Sequence, residues 1–150
     1  MGHTYTSLAY HIVFSTKERR PLLSADIAAR LVQFVGGILR ERNGKLLAMN
    51  GPENHVHILG ILAPKMSVSD HVRDIKSLTS GWIRDTFSTP APFGWQEGYG
   101  GFSVGKSDLD RVIGYIETQP EHHRKTTFEE ELVALLERAG IEYDPKYVFG

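Results

Sequence analysis

The sequence predicts an α+β fold on the ferredoxin-like plan, β-α-β-β-α-β, with an antiparallel sheet and added C-terminal helices. Three observations point there. The stretches "LAYHIVFS", "KLLAMNG", "HVHILGIL" and "FSVGK" are short, rich in β-formers and read as strands. The middle two are separated only by "PEN", the spacing of a hairpin. The remaining periodic segments repeat apolar residues every three or four positions, as helices do.

Residues 8–15 form the first strand, and "KERRPLLS" is a polar turn ending in Ser24, a good N-cap. Ile27, Leu31, Phe34, Val35, Ile38 and Leu39 then recur at helical spacing until Asn43-Gly44 closes the first helix. Gly36-Gly37 inside it costs stability and offers room for a close backbone approach. After the hairpin, Ser69 caps a second helix over roughly residues 70–87, with Val72, Ile75, Leu78, Trp82 and Ile83 on its apolar face. The loop "STPAPFGWQEGYGG" leads to the fourth strand. Ser107 and Asp108 open a third helix carrying Leu109, Val112, Ile113 and Ile116, stopped by Pro120. Thr127 and Glu130 form a capping box for a fourth helix that ends at Gly140. No repeat, low-complexity tract or long linker divides the chain, which reads as one domain, residues 1–150.

Composition narrows the function classes. Hydrophobic residues make up 41% and charged ones 23%, an ordinary globular profile. The chain has no cysteine, which removes disulfides, thiolate metal sites and cysteine nucleophiles. No apolar run is long enough to span a membrane, and the expected location is the cytoplasm. The net charge of −1 argues against a nucleic-acid partner, but the acids are concentrated late in the chain. Glu129, Glu130, Glu131, Glu137, Glu142 and Asp144 face only Arg138 and Lys146, leaving residues 1–127 mildly basic. The clusters Lys17/Arg19/Arg20, Arg40/Arg42/Lys45 and Arg124/Lys125 suit a solvated surface and a phosphate contact equally. Charge alone decides nothing.

The chemistry starts at "NHVHILG", residues 54–60. Side chains alternate along a strand, so His55 and His57 share one face while Val56 and Ile58 share the other. Two imidazoles on one face are half of a metal site. Tyr115 and Gln119 lie four apart on the third helix, hence on one side of it, flanking its apolar stripe. In this fold the third helix can cross the open sheet face, where both would meet the histidine pair. Two imidazoles and an amide oxygen would then hold a divalent cation, with a phenol beside it. A cation that polarises a phosphoryl oxygen leaves the protein to supply a nucleophile, and a tyrosine can serve by forming a covalent intermediate.

At these residues the sequence strongly resembles the single-tyrosine HUH transposases of the insertion-sequence-200-like family, including relatives associated with repetitive extragenic palindromes. The resemblance rests on His55-Val56-His57 and on Tyr115 followed by Gln119. It extends through "YHIVFSTKERRPLL", "DHVRDIKSLTSGWI", "WQEGYGGFSV" and "YIETQPEHHRKTTFEEEL", nearly the whole chain. It implies Tyr115 as nucleophile, and His55, His57 and Gln119 as ligands of Mg²⁺ or Mn²⁺. It also implies single-stranded or hairpin DNA as substrate, a 5′-phosphotyrosine with a free 3′-OH, and a homodimer with shared active sites. Glycines in "GWQEGYGG" and Gly105 would supply the joint before the third helix.

Other readings stay open at this point. One is a hairpin-binding module without catalysis; another is a metal-dependent phosphodiesterase in which water attacks. His122 and His123 suit a solvated turn or a DNA contact, and His11 suits a surface position better than the site. Trp82 reads as packing, while Trp95 and Tyr99 are open between packing and base stacking.

Overall fold

The computed structural model describes residues 2–119 and 126–149. Its elements are β1 Ala9–Ser15, α1 Ala25–Glu41, β2 Lys45–Asn50, β3 His55–Ile61, α2 Val68–Thr86, β4 Gly100–Val104, α3 Leu109–Glu117 and α4 Phe128–Arg138. The strands form one antiparallel sheet in the order β2-β3-β1-β4. This is the predicted β-α-β-β-α-β plan with helices added after it.

Strand alternation divides the sheet into two faces. Ile12, Phe14, Val56 and Ile58 point toward α1 and α2, where they join Leu31, Val35, Val72, Ile75 and Ile83 in the main core. His57 lies opposite Val13 and His55 opposite Ser15, which puts the histidine pair on the other face. That face is covered in turn. From α3, Val112 and Ile116 rest on Leu59; from α4, Phe128, Leu132 and Leu136 pack around Val13. Each such apolar side chain contributes ~1.5–3 kcal/mol on burial. The histidines therefore lie between the sheet and two helices.

Several predicted boundaries hold and several move. Ser24 caps α1, its hydroxyl accepting from Ile27 N–H at 3.3 Å. Thr127 and Glu130 form the capping box of α4, and Gly140 ends it with φ of +69°. At the end of α1 the left-handed residue is Asn43 rather than glycine. Gly44 is required for another reason: a Cβ there would lie 2.5 Å from the Ile61 carbonyl oxygen. Gly51 in the β2–β3 turn is tighter still, with the His55 carbonyl 2.2 Å from such a Cβ. The expected close approach at Gly36-Gly37 is absent; the nearest atom, from Leu46, is 3.8 Å from a Cβ at Gly36, and Gly37 has nothing within 4 Å.

The cap of α2 is Ser67, not Ser69, and its hydroxyl accepts from Asp70 N–H at 3.0 Å. The buried stripe of that helix runs His71, Val72, Ile75, Thr79 and Ile83, leaving Leu78 exposed. A 3₁₀ turn, Lys106–Asp108, precedes α3, whose N-cap Asp108 makes no side-chain cap bond. Pro120, His122, His123, Arg124 and Lys125 lie outside the described residues. No helix among the described residues is long and apolar enough to cross a membrane.

Candidate metal and tyrosine site

Both predicted halves of the site meet within one chain. His55 and His57 are fully buried on β3, and the Tyr115 ring of α3 stands edge-on to His57 with centroids 5.7 Å apart. Gln119 is also fully buried, but it lies past the end of α3, which stops at Glu117 with Thr118 as its C-cap, rather than on the helix as expected. The group that ties them together is Glu131 of α4. Its Oε1 lies 3.1 Å from His55 Nε2 and 2.8 Å from His57 Nε2. Its Oε2 accepts from the Tyr115 hydroxyl and, at 3.1 Å, from Gln119 Nε2.

A buried carboxylate without partners would cost several kcal/mol. Here burial pushes Glu131 up, but hydrogen bonds from His55 and His57 outweigh it and hold the carboxyl far below the usual range. Burial also raises the Tyr115 phenol well above 10, and the hydrogen bond to Glu131 raises it further. As it stands, the phenol is a poor nucleophile.

The donor set fits a divalent cation. Donor atoms of His55, His57 and Glu131 all lie within 4.8 Å of one another, and all three residues are buried. Neighbouring ligands of an octahedral cation with bonds of about 2.1 Å are about 3.0 Å apart. The spacings of 2.8 and 3.1 Å from Glu131 to the two imidazoles match that edge. Gln119 stands beside the same carboxylate with its amide nitrogen turned to it.

Sequence reasoning missed Glu131, His11 and Asn54. Glu131 sits in an acidic first turn, where acids usually just complement the helix dipole. Yet Phe128, Glu131, Leu132 and Leu135 fall at i, i+3, i+4 and i+7, so an acid occupies the buried stripe. That was the available signal. His11, expected at the surface, is buried with its Nε2 2.8 Å from His57 Nδ1. Asn54 Oδ1 lies 2.8 Å from His55 Nδ1.

A cavity of about 190 Å³ opens between α3 and α4, lined by His11, Arg111, Tyr115, Glu131 and Arg138 among others. Its walls carry the guanidiniums of Arg111 and Arg138 beside Tyr115. Arginines of two other basic clusters are engaged elsewhere. Arg19 pairs with Glu129, Arg20 with Glu18, and Arg42 with Asp74. A larger cavity of about 530 Å³ flanks α2 beside Trp95 and Tyr99. There Lys76 Nζ donates to the carbonyls of Gln96, Glu97 and Gly98. Trp95 packs edge-on against Phe14 and Phe93 and donates to Thr79, so it braces the core rather than waiting for a base. Trp82 stacks on Phe34, as expected of a packing residue.

Burial, and then the neighbouring His57, lower the His11 pKa to about 3, against a smaller opposing pull from Glu131. The unfolded chain takes up this proton near pH 6.5, the folded protein only near 3. Stability from this group is therefore full above pH 6.5 and falls as pH drops toward 3. At pH 5 the expected loss is about 2 kcal/mol relative to neutral pH. Urea unfolding of metal-free protein at both pH values checks this, and His11→Gln should show the shallower loss.

Known proteins resemble this chain in sequence and in fold. The profile of the family described as "Transposase IS200 like" matches residues 4–119. The transposase for insertion sequence element IS200 of Salmonella typhimurium is 30% identical over 134 residues, 83% of this chain and 84% of that protein. The ISDra2 transposase TnpA of Deinococcus radiodurans is 25% identical over 79 residues, 53% of this chain and 56% of its own. Among solved structures, one assigned as a transposase from Deinococcus radiodurans aligns with a TM-score of 0.62 at 23% identity, over 79% of this chain and 96% of that one. A REP-associated tyrosine transposase bound to a REP hairpin aligns at 0.59 with 16% identity, over 82% and 74%. At these identities the two structures support the fold.

Proposed function

The chain belongs to the IS200-like transposase family, and from that premise we propose that it is a single DNA-transposase domain cleaving and rejoining single-stranded DNA at hairpin-flanked sites through Tyr115. The observation that carries this reading is Glu131, whose two oxygens join the histidine pair to the tyrosine hydroxyl in one buried cluster. His55, His57 and Glu131 would hold Mg²⁺ or Mn²⁺, and Gln119 is the fourth candidate ligand. When bound, such a cation would offset the carboxylate that raises the phenol and would polarise a phosphoryl oxygen.

Tyr115 then attacks phosphorus in line. The Oη–P bond forms as the bond from phosphorus to the 3′ oxygen breaks, giving a 5′-phosphotyrosine. The phenol loses its proton and the departing 3′ oxygen gains one, leaving a free 3′-OH. One phosphodiester replaces another, so attack of a 3′-OH on the phosphotyrosine reverses the step and rejoins strands. Arg111 and Arg138 line the approach and suit a phosphate there. The proposed location of this work is the cytoplasm. Incubation with single-stranded hairpin DNA and Mn²⁺ tests the reading, with a denaturation-resistant protein–DNA species as the expected product. Cleavage without any adduct would favour water as nucleophile, and binding without cleavage a non-catalytic module.

For assembly the proposal is a homodimer with shared sites. Its support is the short link Gly105–Asp108 and the single apolar stripe by which α3 docks, a stripe that would fit the same groove on a second copy. Mixing His57→Ala with Tyr115→Phe subunits should then restore cleavage, because one site per heterodimer regains both intact halves. A mixture as inactive as its parents would show that each chain uses its own tyrosine.

A further inference from the structure

Each histidine of the pair has a second ring nitrogen, and each of these meets a buried or anchored partner. His57 Nδ1 lies 2.8 Å from His11 Nε2, with the two rings stacked at 5.1 Å. His55 Nδ1 lies 2.8 Å from Asn54 Oδ1. An imidazole offers Nε2 to a cation only when its proton sits on Nδ1, so whatever accepts that proton's hydrogen bond decides whether the ring is a ligand. We propose that His11 and Asn54 are positioning residues that hold His57 and His55 in the Nδ1–H form, aiming both Nε2 lone pairs at the point that Glu131 Oε1 faces.

The backbone places these partners. In β1, Val13 is the register partner of His57, and His11 lies two residues along the same face, within diagonal reach across the strands. Asn54 is anchored by its own carbonyl, which accepts from Thr16 N–H at 2.9 Å and from the Thr16 hydroxyl at 3.2 Å. Its side chain thus leaves from a fixed point at the mouth of the strand. The consequence is directional. With both protons on Nδ1, two ring lone pairs and a carboxylate oxygen converge at 2.8 and 3.1 Å. A cation among them would bind all three; without one, protons on the two Nε2 atoms donate to Glu131 Oε1 in its place.

This inference rests on the metal reading above, and its test separates the two. Mn²⁺ would be titrated calorimetrically into the full chain and into His11→Phe, His11→Gln, Asn54→Leu and Asn54→Asp. His11→Phe and Asn54→Leu keep bulk and lose the acceptor, so Mn²⁺ affinity should fall about 10–100-fold. His11→Gln and Asn54→Asp restore an acceptor oxygen and should bind close to wild type. Wild-type affinity in His11→Phe, or an equal loss in His11→Gln, would reduce His11 to a packing role and overturn the proposal. Failure of the wild type to bind Mn²⁺ would instead sink the metal reading itself, and this inference with it. Should His11→Phe not fold, nitrogen-15 spectra of the Mg²⁺-loaded wild type decide. His11 protonated on Nδ1, with Nε2 accepting from His57, supports the proposal; a proton on His11 Nε2 overturns it.

Discussion

A Glu131→Gln protein is expected to lose more than about 100-fold in Mn²⁺ affinity, and strand cleavage with it, while staying folded. Loss of a residue behind a ligand typically costs 10–100-fold, and loss of the ligand's own charge should exceed that. Glutamine keeps the shape and an acceptor oxygen, so Phe128, Leu132 and Leu136 still dock α4. What disappears is the negative charge facing both imidazoles. His57→Ala should abolish binding too, but it also strands buried polar atoms on His11 and Glu131, costing about 1–3 kcal/mol for each. Gln119→Ala is expected to do less, because Gln119 donates to Glu131 and so steadies the carboxylate. Calorimetry with Mn²⁺ and a cleavage assay on the same preparations measure all three. Faster cleavage by Glu131→Gln would mean that the carboxylate occludes the site, and the third ligand position would revert to Gln119.

The parts of this fold that were legible in the sequence are those decided by near neighbours. Alternation alone put His55 and His57 on the face opposite Val56 and Ile58, and the structure agrees. The capping box at Thr127 and the cap at Ser24 are local hydrogen bonds and were readable as such. The start of α2 was not, because Ser67 and Ser69 are both competent caps two residues apart. Register decides between them, and taking Leu78 rather than Thr79 as buried favours the wrong one.

The site divides the same way. Tyr115 sits on α3 as the helical spacing predicts while Gln119 falls just past its end, and His11 joins the histidines only through the pairing of β1 with β3, a contact between distant segments. Glu131 depends on the α4 docking that covers the sheet. Its position on an apolar stripe announced a buried acid without saying what would neutralise it. A buried charge needs partners that the stripe cannot name, and here they lie on β3 and α3.

Tyr115→Phe is expected to eliminate the covalent protein–DNA species entirely while leaving fold, metal affinity and DNA binding nearly intact. Only the hydroxyl is removed; the ring keeps its edge-on contacts with His57 and His11. Glu131 Oε2 loses one donor but keeps Gln119, so the carboxylate stays paired. A small stability change of about 1 kcal/mol follows from the lost hydrogen bond. Catalysis has no such reserve. With the phenol raised by burial and by Glu131, attack by the hydroxyl would need a cation held at His55, His57 and Glu131 to offset that carboxylate, and phenylalanine offers no oxygen at all. Wild-type protein with Mn²⁺ and a cleavable single strand should yield a band that survives denaturation; Tyr115→Phe should bind the same strand and yield none. An adduct from the mutant would move the nucleophile to another tyrosine. Tyr99 is held by Ser69 of α2 and Tyr143 by Glu137. The Tyr115 hydroxyl alone, among the tyrosines, shares a carboxylate with both histidines among the described residues.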